Sequence, residues 1–470
     1  MPGMFLWTRW YWGRCWLVVL AGLTSFGTLP AVADADVGTG LVTWSGLVNL
    51  DKPLVLTSKQ VLRVLPGTLI RVAHADTTIT IQGKLEVSGD VNLPVVFESP
   101  KGWKGLMLTK SKARNVIRGA RFAGAEKAIS VSESRLTIED SRFENCQMAV
   151  AYMAESSGKV LGCQFRGGRN GLASDARSKV EIIRNLFVGF TGSALSLSRM
   201  ALGNVEDCSF RQNATAIHIT QQFPGKIKGN ILTDNKVGVA LRQTGATPTL
   251  VWNRFTGNDR AVEASQFSSP LVERCLFFQN YQAITMKQMS SPKVIANEFF
   301  DNGTALDVGW RSTPKVHNNQ FEKNRLVLFC DYGSYPKVVN NNIVANELAV
   351  KLGDHQSAEN ILAPKNNDRA NSQKRGVALG PRIDKRSAAL PKPFIDVSHN
   401  WWGENTTLLA NARKSDNLAL FWDRHDQPYT QGRAGHFQRD VVQFLPVRFT
   451  PVAFEPISRT GGRQGADSSR

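Results

Sequence analysis

One motif, Asn-x-Phe followed by a second Asn, returns along most of this chain at a nearly constant interval. The residue at its centre, taken as position zero, occurs eleven times at steps of 21 to 23 residues: Phe122, Phe143, Phe165, Phe187, Phe210, Leu232, Phe255, Phe277, Phe299, Phe321 and Ile343. Chance is a poor explanation for eleven copies in register. A fixed period of this size indicates a solenoid, in which each repeat is one turn stacked on its neighbours.

Two further columns of apolar residues keep step with this one. Five residues before position zero every residue is aliphatic: Ile117, Ile138, Val160, Ile182, Val205, Ile227, Leu250, Val272, Val294, Val316 and Val338. Seven residues after it, with one slip of one residue, stand Ile129, Val150, Leu172, Leu195, Ile217, Val239, Val262, Ile284, Leu306, Leu328 and Val350. Helical periodicity is absent from this stretch. The pattern therefore predicts an all-β solenoid of about 22 residues per coil, with three short strands that each bury one anchor.

The asparagines form columns of their own. Three residues after position zero stand Asn213, Asn235, Asn258, Asn280, Asn302, Asn324 and Asn346, and two residues before it stand Asn185, Asn230, Asn253, Asn297, Asn319 and Asn341. Asn tolerates the left-handed backbone that a sharp corner needs. Stacked amides can also hydrogen-bond from coil to coil, which satisfies polar groups inside the turn. The sequence predicts an asparagine ladder with a structural role.

Cysteines take some positions in these columns. After Cys15 five remain, Cys146, Cys163, Cys208, Cys275 and Cys330, an odd number that leaves at least one unpaired or paired between molecules. Cys163, Cys208 and Cys275 occupy the slot two before position zero. Cys163 and Cys208 lie two coils apart, about 10 Å, which exceeds the reach of a disulfide. We expect buried, inert thiols.

The repeat resembles that of right-handed parallel β-helix proteins with the pectin-lyase-like fold, of the exported bacterial type. The stretch "HNWWGENTT" is similar to the Asn-Trp-Gly motif near their last turn, with Trp402 in the Phe slot, Asn400 two before it and Val397 five before it. The resemblance covers most of residues 41–450. A leucine-rich repeat has an overlapping period, but its dense Leu-x-x-Leu-x-Leu signature is missing here.

The N-terminus has the pattern of an export signal. Arg9 and Arg14 precede a short apolar stretch, Cys15–Phe26, and "AVA" at residues 31–33 fits a cleavage site. The alternative is a transmembrane anchor, but the stretch is well short of the roughly 20 residues that a span needs. We found no second apolar run of spanning length. The sequence predicts an exported protein that is periplasmic, on the outer surface or secreted.

The pattern divides the chain into six segments. They are a signal peptide over 1–33, an N-terminal cap and first coils over 34–110, β-helix repeats over 111–352, a basic loop over 353–396, a last coil and C-terminal cap over 397–457, and a disordered tail over 458–470. A short capping helix is expected within "ENTTLLANARKSDNLALF". The cap is expected because open ends would expose sheet edges.

The resemblance leaves function open, because this fold hosts many activities. Catalytic members are mostly polysaccharide lyases, hydrolases and epimerases; lyases use acidic residues for calcium and a basic proton acceptor. The Asn-Thr-Asp, Asp-Asp, Gly-His-Gly and Arg-Ile-Lys signatures of the hydrolases do not occur here. The candidate catalytic residues are Glu263, Asp307 and His218, eight residues after position zero, with the two acids about 10 Å apart. The alternative for this column is a solvated face of unrelated charges.

Candidate ligand-binding residues are Trp252, Trp310 and Lys351, although a packed corner role is an alternative for each tryptophan.

The seven histidines show no paired spacing and no Met- or His-rich cluster occurs, so no metal site is predicted. Calcium would be required only by a lyase. The formal net charge of +18 favours a polyanionic partner such as an acidic polysaccharide, with an envelope protein as the alternative and no specific nucleic acid. A solvated basic surface without a specific partner explains the charge equally well. We expect a binding or scaffold module of the cell envelope; the competing hypothesis is a lyase or epimerase that acts on acidic glycan.

Overall fold

The computed structural model describes residues 34–35, 40–246, 248–362, 392–432 and 435–457. Over these residues the chain winds into a right-handed parallel β-helix, in which successive strands of a coil join sheets A, B and C in turn. Sheet B has fourteen strands, so the described chain forms about fourteen coils. The prediction of an all-β solenoid with three short strands per coil is confirmed.

Sheet A is the largest sheet. Its strands are Asp34–Ala35, Leu41–Trp44, Val61–Val64, Lys84–Ser88, Arg114–Arg118, Arg135–Glu139, Ser157–Leu161, Lys179–Ile183, Val205–Glu206, Lys226–Lys228, Thr249–Val251, Leu271–Glu273, Lys293–Ile295, Lys315–His317, Lys337–Val338, Phe394–Asp396 and Val441–Gln443. All of its pairings are parallel except the first, where the two-residue N-terminal strand runs antiparallel to its neighbour.

Sheets B and C complete each coil. The strands of sheet B are Leu47–Leu50, Leu69–Val72, Val95–Glu98, Ala120–Ala123, Arg142–Glu144, Gln164–Arg166, Leu186–Val188, Ser209–Arg211, Ile231–Thr233, Arg254–Thr256, Leu276–Phe278, Glu298–Phe300, Gln320–Glu322 and Asn342–Val344. Those of sheet C are Leu54–Leu56, Thr78–Ile81, Gly105–Thr109, Lys127–Ser132, Met148–Met153, Asn170–Ser174, Ser193–Ser198, Thr215–Thr220, Val237–Arg242, Arg260–Ser265, Gln282–Met286, Thr304–Val308, Leu326–Cys330, Leu348–Leu352 and Phe421–Trp422.

The three predicted columns of apolar anchors form the core. Phenylalanines at position zero stack ring on ring along the axis, as in Phe255, Phe277 and Phe299, with centroids 4.9 and 4.8 Å apart. Leu232 interrupts the column between its two runs of rings. Because each ring fills the space above the one below, the core is continuous along the solenoid.

The asparagine ladder is present, but the reason for it differs from the prediction. The residue in the left-handed region at each corner is the one before the ladder position, such as Gln279 (φ 53°), and none of the ladder asparagines has a positive φ. The asparagine instead supplies hydrogen bonds: the Asn280 amide donates to the Asn302 side chain (3.0 Å), and its oxygen accepts from the backbone N–H of Asn258 (3.0 Å). At each of these corners, one residue thus takes the left-handed backbone and the next residue, the asparagine, makes the hydrogen bonds between coils.

Cysteines take ladder positions without forming disulfides. All five described cysteines are buried and free. Cys208 accepts from the backbone N–H of Asn185 (3.4 Å), as an asparagine would in that place. Burial raises the pKa of Cys163, Cys208 and Cys275 to about 12, so their thiols are protonated and inert.

The C-terminal end is closed by irregular structure. Helix α1, Ala358–Leu362, follows the last complete coil; a 3-10 turn, Gly403–Asn405, and helix α2, Thr406–Asn411, follow the strand Phe394–Asp396. Asn400 continues the ladder directly from Asn341, whose backbone N–H it accepts at 2.7 Å. The coil that contains Asn400 is therefore stacked directly on the coil that contains Asn341.

Two contacts fasten this cap. Asp440 accepts hydrogen bonds from the Tyr335 hydroxyl and the Gln356 amide, both at 2.9 Å. The Arg439 side chain is fully buried; it donates to the carbonyl of Leu352 (2.8 Å) and lies over the Trp422 ring. An antiparallel hairpin, Tyr429–Gly432 and Gly435–Gln438, leads into these residues.

The signal peptide over 1–33, most of the predicted basic loop and the predicted tail over 458–470 lie outside the described residues. Within the described part of the chain, no helix is both long and apolar enough to cross a membrane.

Candidate functional site

The corner that follows sheet C carries a row of exposed apolar and aromatic side chains. Phe267, Met289, Trp310, Tyr332 and His355 come from five successive coils, and we call them the exposed ridge. The backbone aligns Phe267 with Met289, while Trp310 and Tyr332 lie one residue earlier in the corner. Phe267 is 59 % exposed, Trp310 53 % and Tyr332 39 %. Four intervals of about 4.8 Å make this ridge about 19 Å long.

Three of these rings are stacked. The Trp310 and Tyr332 centroids are 4.5 Å apart, and those of Tyr332 and His355 are 4.4 Å apart, with nearly parallel planes. Trp310 and Tyr332 have left-handed backbones, with φ of 56° and 52°. Bulky residues are uncommon there, but this corner takes two consecutive left-handed residues in these coils, Trp310 with Arg311 and Tyr332 with Gly333. The repeated corner geometry holds the rings in register.

Beside the ridge, an outward-facing column runs along sheet C. The ladder pairs Glu263 with Thr285 and Thr285 with Asp307, so the two acids lie two rungs apart as predicted. His218 is on the same column, separated from Glu263 by the small residue Ala240. Lys351 follows further along, two rungs after Asp307.

Asp307 is the most enclosed acid of this column, at 7 % exposure. The Gln282 amide donates to its carboxylate (3.1 Å), and the Lys287 ammonium lies 3.6 Å away. Burial raises the pKa of Asp307; Lys287 and the Gln282 hydrogen bond oppose the shift, and the negative charge of Asp331 adds to it. Asp307 is thus a buried carboxyl beside a lysine.

A recess lies between Asp307 and the exposed ridge, because the intervening outward position is Gly309. A Cβ built there would meet no atom within 4 Å other than its chain neighbours. Lys287 and Asp331 take the equivalent position in the coils before and after. We call this place the Gly309 recess.

Asp331 fixes the end of the ridge. One carboxylate oxygen accepts the backbone N–H groups of Tyr332 (2.7 Å) and His355 (2.8 Å). The other lies 3.5 Å from Nδ1 of His355. These contacts hold the outermost ring of the stack against Tyr332.

Glu263 and His218 lie further along the same face, two rungs apart. Arg260 contacts the Glu263 carboxylate at 2.5 Å, and Arg242 lies 3.9 Å from it. Burial and the neighbouring Arg242 lower the pKa of His218, while Glu263 opposes the shift. His218 is therefore neutral at pH 7, and Glu263 is already paired.

The structure thus brings Glu263, Asp307, His218, Trp310 and Lys351 to one side of the solenoid, and places Trp252 elsewhere. Trp252 sits at the corner between sheets A and B and is 44 % exposed, with the Arg274 guanidinium 5.2 Å from its ring centre.

Several residues of the face were not singled out from the sequence: Gln282, Lys287, Gly309, Asp331, Tyr332 and His355. They lie in the columns ten to twelve residues after position zero or five after it, and following those columns across coils would have found them.

Two family models match parts of the chain. One, described as "Right handed beta helix region", covers residues 247–379, and the other, described as "Periplasmic copper-binding protein (NosD)", covers residues 102–270. Together with the three parallel sheets, these matches decide the class. The chain is a right-handed β-helix repeat protein. No curated protein matches its sequence.

Solved structures similar to this β-helix protein are remote. A surface adhesin of Streptococcus pneumoniae, PfbA, is 12 % identical, with 67 % of this chain and 86 % of that chain covered and a TM-score of 0.36. A tailspike protein of an E. coli bacteriophage, solved with a pentasaccharide, is 11 % identical, with 68 % and 69 % covered and a TM-score of 0.37. The periplasmic alginate epimerase AlgG is 14 % identical, with 68 % and 77 % covered and a TM-score of 0.26.

The copper named in one family description was tested against the donors of this β-helix protein. Among the described residues, no three or more His, Cys, Asp or Glu side chains come together as a metal site would require. Copper prefers soft donors, the thiolate of cysteine and the thioether of methionine. The cysteines are buried, with thiol pKa values raised where a metal ligand must be a thiolate, so they do not fit a copper site.

Proposed function

We propose that this β-helix protein is an exported binding module of the cell envelope, and that it holds a glycan against the exposed ridge and the Gly309 recess without chemical change. The observation that carries the proposal is the exposed stack of Trp310, Tyr332 and His355 beside a row of half-buried polar groups. Exposed aromatic surface in a row on a rigid element marks an interaction site.

The chemistry of the two parts suits a sugar chain. A sugar ring has an apolar face of C–H groups, which can lie against the outer surfaces of Phe267 and Trp310. Its hydroxyl groups need directional partners, and the Gln282 amide, the Asp307 carboxylate and Lys287 stand next to the ridge. Ligand sites combine an apolar surface with a few placed polar groups in this way.

The repeated coils also make the exposed ridge long enough for an extended sugar chain. Each coil repeats the same corner at a spacing of about 4.8 Å, so the exposed ridge is an extended track rather than a closed pocket. Export is supported by the N-terminal signal pattern and by the word "Periplasmic" in the description of one matching family.

A second candidate is an enzyme, a lyase or epimerase acting on acidic glycan in the same recess. The buried Asp307 carboxyl beside Lys287 favours it, because a cation can neutralise a sugar carboxylate while a carboxyl group with a raised pKa transfers a proton. Binding is preferred because the acids are already engaged: Gln282 holds Asp307, and Arg260 holds Glu263. Calcium would be needed only for a lyase.

The test is a glycan array probed with the purified protein and with the variants Trp310→Ala and Trp252→Ala. Trp252 is an equally exposed tryptophan at another corner, so it is a matched control. The proposal expects binding to at least one glycan class that falls about tenfold or more in Trp310→Ala, since an aromatic anchor of a binding site is worth over 1 kcal/mol. Equal binding by both variants contradicts it.

The same glycans are incubated with the protein, with and without calcium, while the absorbance of unsaturated uronate is followed; epimerisation is followed by NMR. Neither product is expected. Product that disappears in Asp307→Asn would replace the binding proposal by the enzyme.

A further inference from the structure

The outer face of sheet A carries a second charged feature, which begins four or five residues after the exposed ridge in each coil. The tripeptide Pro-Lys-Val occurs in three successive coils and places Lys293, Lys315 and Lys337 directly beside one another in the ladder. All three side chains are exposed, while the valine after each lysine is buried. We call these residues the lysine stripe.

The backbone fixes the direction of the stripe. Each lysine N–H donates to the carbonyl of the proline one coil earlier, for example Lys315 to Pro292 (3.1 Å) and Lys337 to Pro314 (2.9 Å). Because strand residues alternate between faces, burial of the valine forces the lysine outward. The three ammonium groups are thus carried by α-carbons about 4.8 Å apart along the solenoid axis.

One anion adjoins the stripe: Asp396 follows Lys337 in the ladder, and its carboxylate accepts hydrogen bonds from the backbone N–H and hydroxyl of Ser398. None of the ion pairs found in the described chain includes Lys293, Lys315 or Lys337. On the same sheet Arg118 is matched by Glu139 of the next coil, whereas Lys179 and Lys226 are, like the stripe, in none of the ion pairs of the described residues. What distinguishes the stripe is that its three lysines are direct ladder neighbours. Like charges at neighbouring ladder positions repel each other, so three adjacent lysines that form no ion pair fit an external polyanion.

Hydroxyl groups stand two residues before two of the lysines, at Ser291 and Thr313, and Ser269 takes the same position in the preceding coil. Ser269 accepts the backbone N–H of Ser291 (3.0 Å), and the hydroxyls of Ser291 and Thr313 lie 3.1 Å apart. Thr313 is exposed. A chain lying on the lysine stripe would therefore meet hydroxyl groups along one side.

We infer that the lysine stripe binds an acidic polysaccharide laid along the solenoid axis, with successive carboxylates of the chain meeting successive lysines. The flat stripe offers one charge per coil of about 4.8 Å, which suits a polymer with one charge per sugar unit. Duplex DNA presents one charge per about 1.7 Å of axis on a curved surface and suits the stripe less well. The hydroxyl groups at its side match a hydroxyl-rich chain. The lysine stripe adjoins the exposed ridge but is made of different residues, so variants can test the two surfaces separately.

The test measures binding of sodium polygalacturonate to the full-length protein at several salt concentrations. The stripe variant combines Lys293→Gln, Lys315→Gln and Lys337→Gln. A control with the same change in charge combines Lys159→Gln, Lys179→Gln and Lys226→Gln, which lie on sheet A but form no continuous column. Because all six side chains lie at the surface, both variants are expected to fold, and circular dichroism confirms this.

The expected result is a dissociation constant about tenfold higher for the stripe variant, from three exposed ion pairs that each contribute a factor of about two to three. The salt dependence of binding should also weaken, and the control should change less than threefold. Equal loss in both triple variants overturns the inference, as does no binding of polygalacturonate at any salt concentration.

Duplex DNA and vesicles containing phosphatidylglycerol serve as the other polyanions. Stripe-dependent binding of either one that is tighter than binding of polygalacturonate would also overturn the inference. Trp310→Ala is assayed in parallel: unchanged polygalacturonate binding in that variant shows that the lysine stripe and the exposed ridge act separately.

Discussion

Replacing Asn280 by alanine tests the role that the structure gives to the ladder. Asn280 is 1 % exposed, and its side chain takes part in four hydrogen bonds. It donates to the Phe255 carbonyl and to Asn302, and it accepts from the backbone and side chain of Asn258, all at 2.9 to 3.0 Å.

The size of the stability loss depends on which hydrogen-bond partners of Asn280 keep another hydrogen bond in the variant. The Asn258 amide still donates to the carbonyls of Leu232 (3.0 Å) and Thr256 (3.2 Å), and Asn302 still accepts the backbone N–H of Asn280 (3.0 Å). The backbone N–H of Asn258 loses its acceptor inside the core. An orphaned buried donor costs about 1 to 3 kcal/mol and a lost bond about 1 kcal/mol, so we expect a loss of about 3 kcal/mol in the free energy of unfolding.

Urea unfolding followed by circular dichroism measures this loss as a shift of the midpoint at an unchanged slope. Asn49→Ala is the control, because Asn49 is exposed on a strand of sheet B and its loss should cost within about 0.5 kcal/mol. A loss below about 1 kcal/mol in Asn280→Ala, or equal losses in both variants, would refute the reasoning.

Asn280→Asp adds a dependence on pH. The aspartate cannot donate as the amide does, and it would face two acceptors, the Phe255 carbonyl and the Asn302 oxygen. Its pKa should rise above that of an unfolded aspartate, since burial and both acceptors disfavour the charged form. The variant should therefore be least stable at neutral pH, and part of the loss should return as pH falls through the raised pKa. A variant whose stability relative to wild type does not depend on pH would contradict this.

Three further outcomes are expected. Phe277→Ala should cost about 3 to 5 kcal/mol by opening the ring stack, while Phe449→Ala, at a 73 % exposed position, should cost within about 0.5 kcal/mol in the same urea assay. Cys275, with a thiol pKa of about 12, should react with a thiol reagent at pH 8 only in urea; rapid labelling of the native protein, read by mass spectrometry, would show the burial to be wrong. Because the folded pKa of Asp307 is raised, stability should fall as pH rises from the unfolded value through the raised one, and Asp307→Asn should flatten that slope in melting curves.

The fold could be predicted because its signals repeat in register. Three columns of apolar anchors and two of asparagines recur every 22 residues or so, and each copy supports the others. Even the coil after the predicted basic loop was found, since Val397, Asn400 and Trp402 restore the spacing, and all three are buried. The prediction that asparagine supplies the left-handed backbone of the corner was wrong. Gln279 has the left-handed backbone, and its neighbour Asn280 makes the hydrogen bonds of the ladder.

The face beside the exposed ridge was harder to predict. Glu263 and Asp307 stand in a column of fixed offset, so their separation could be read from the sequence. Lys287 and Tyr332 stand at fixed offsets, ten and eleven residues after position zero, but the residue type in those columns changes from coil to coil, so no repeat points to them. Contacts such as Lys287 with Asp307 depend on side-chain direction at the corner that follows sheet C, which the repeat pattern does not contain.

The central claim is that a glycan lies on the exposed ridge beside the Gly309 recess. Hydrogen–deuterium exchange of the protein, with and without the glycan selected on the array, locates the bound surface directly. We predict slower exchange at the corners over residues 309–312 and 331–333 and along the adjacent strands of sheet C. Slower exchange confined to sheet A or sheet B, with those corners unchanged, would contradict the account.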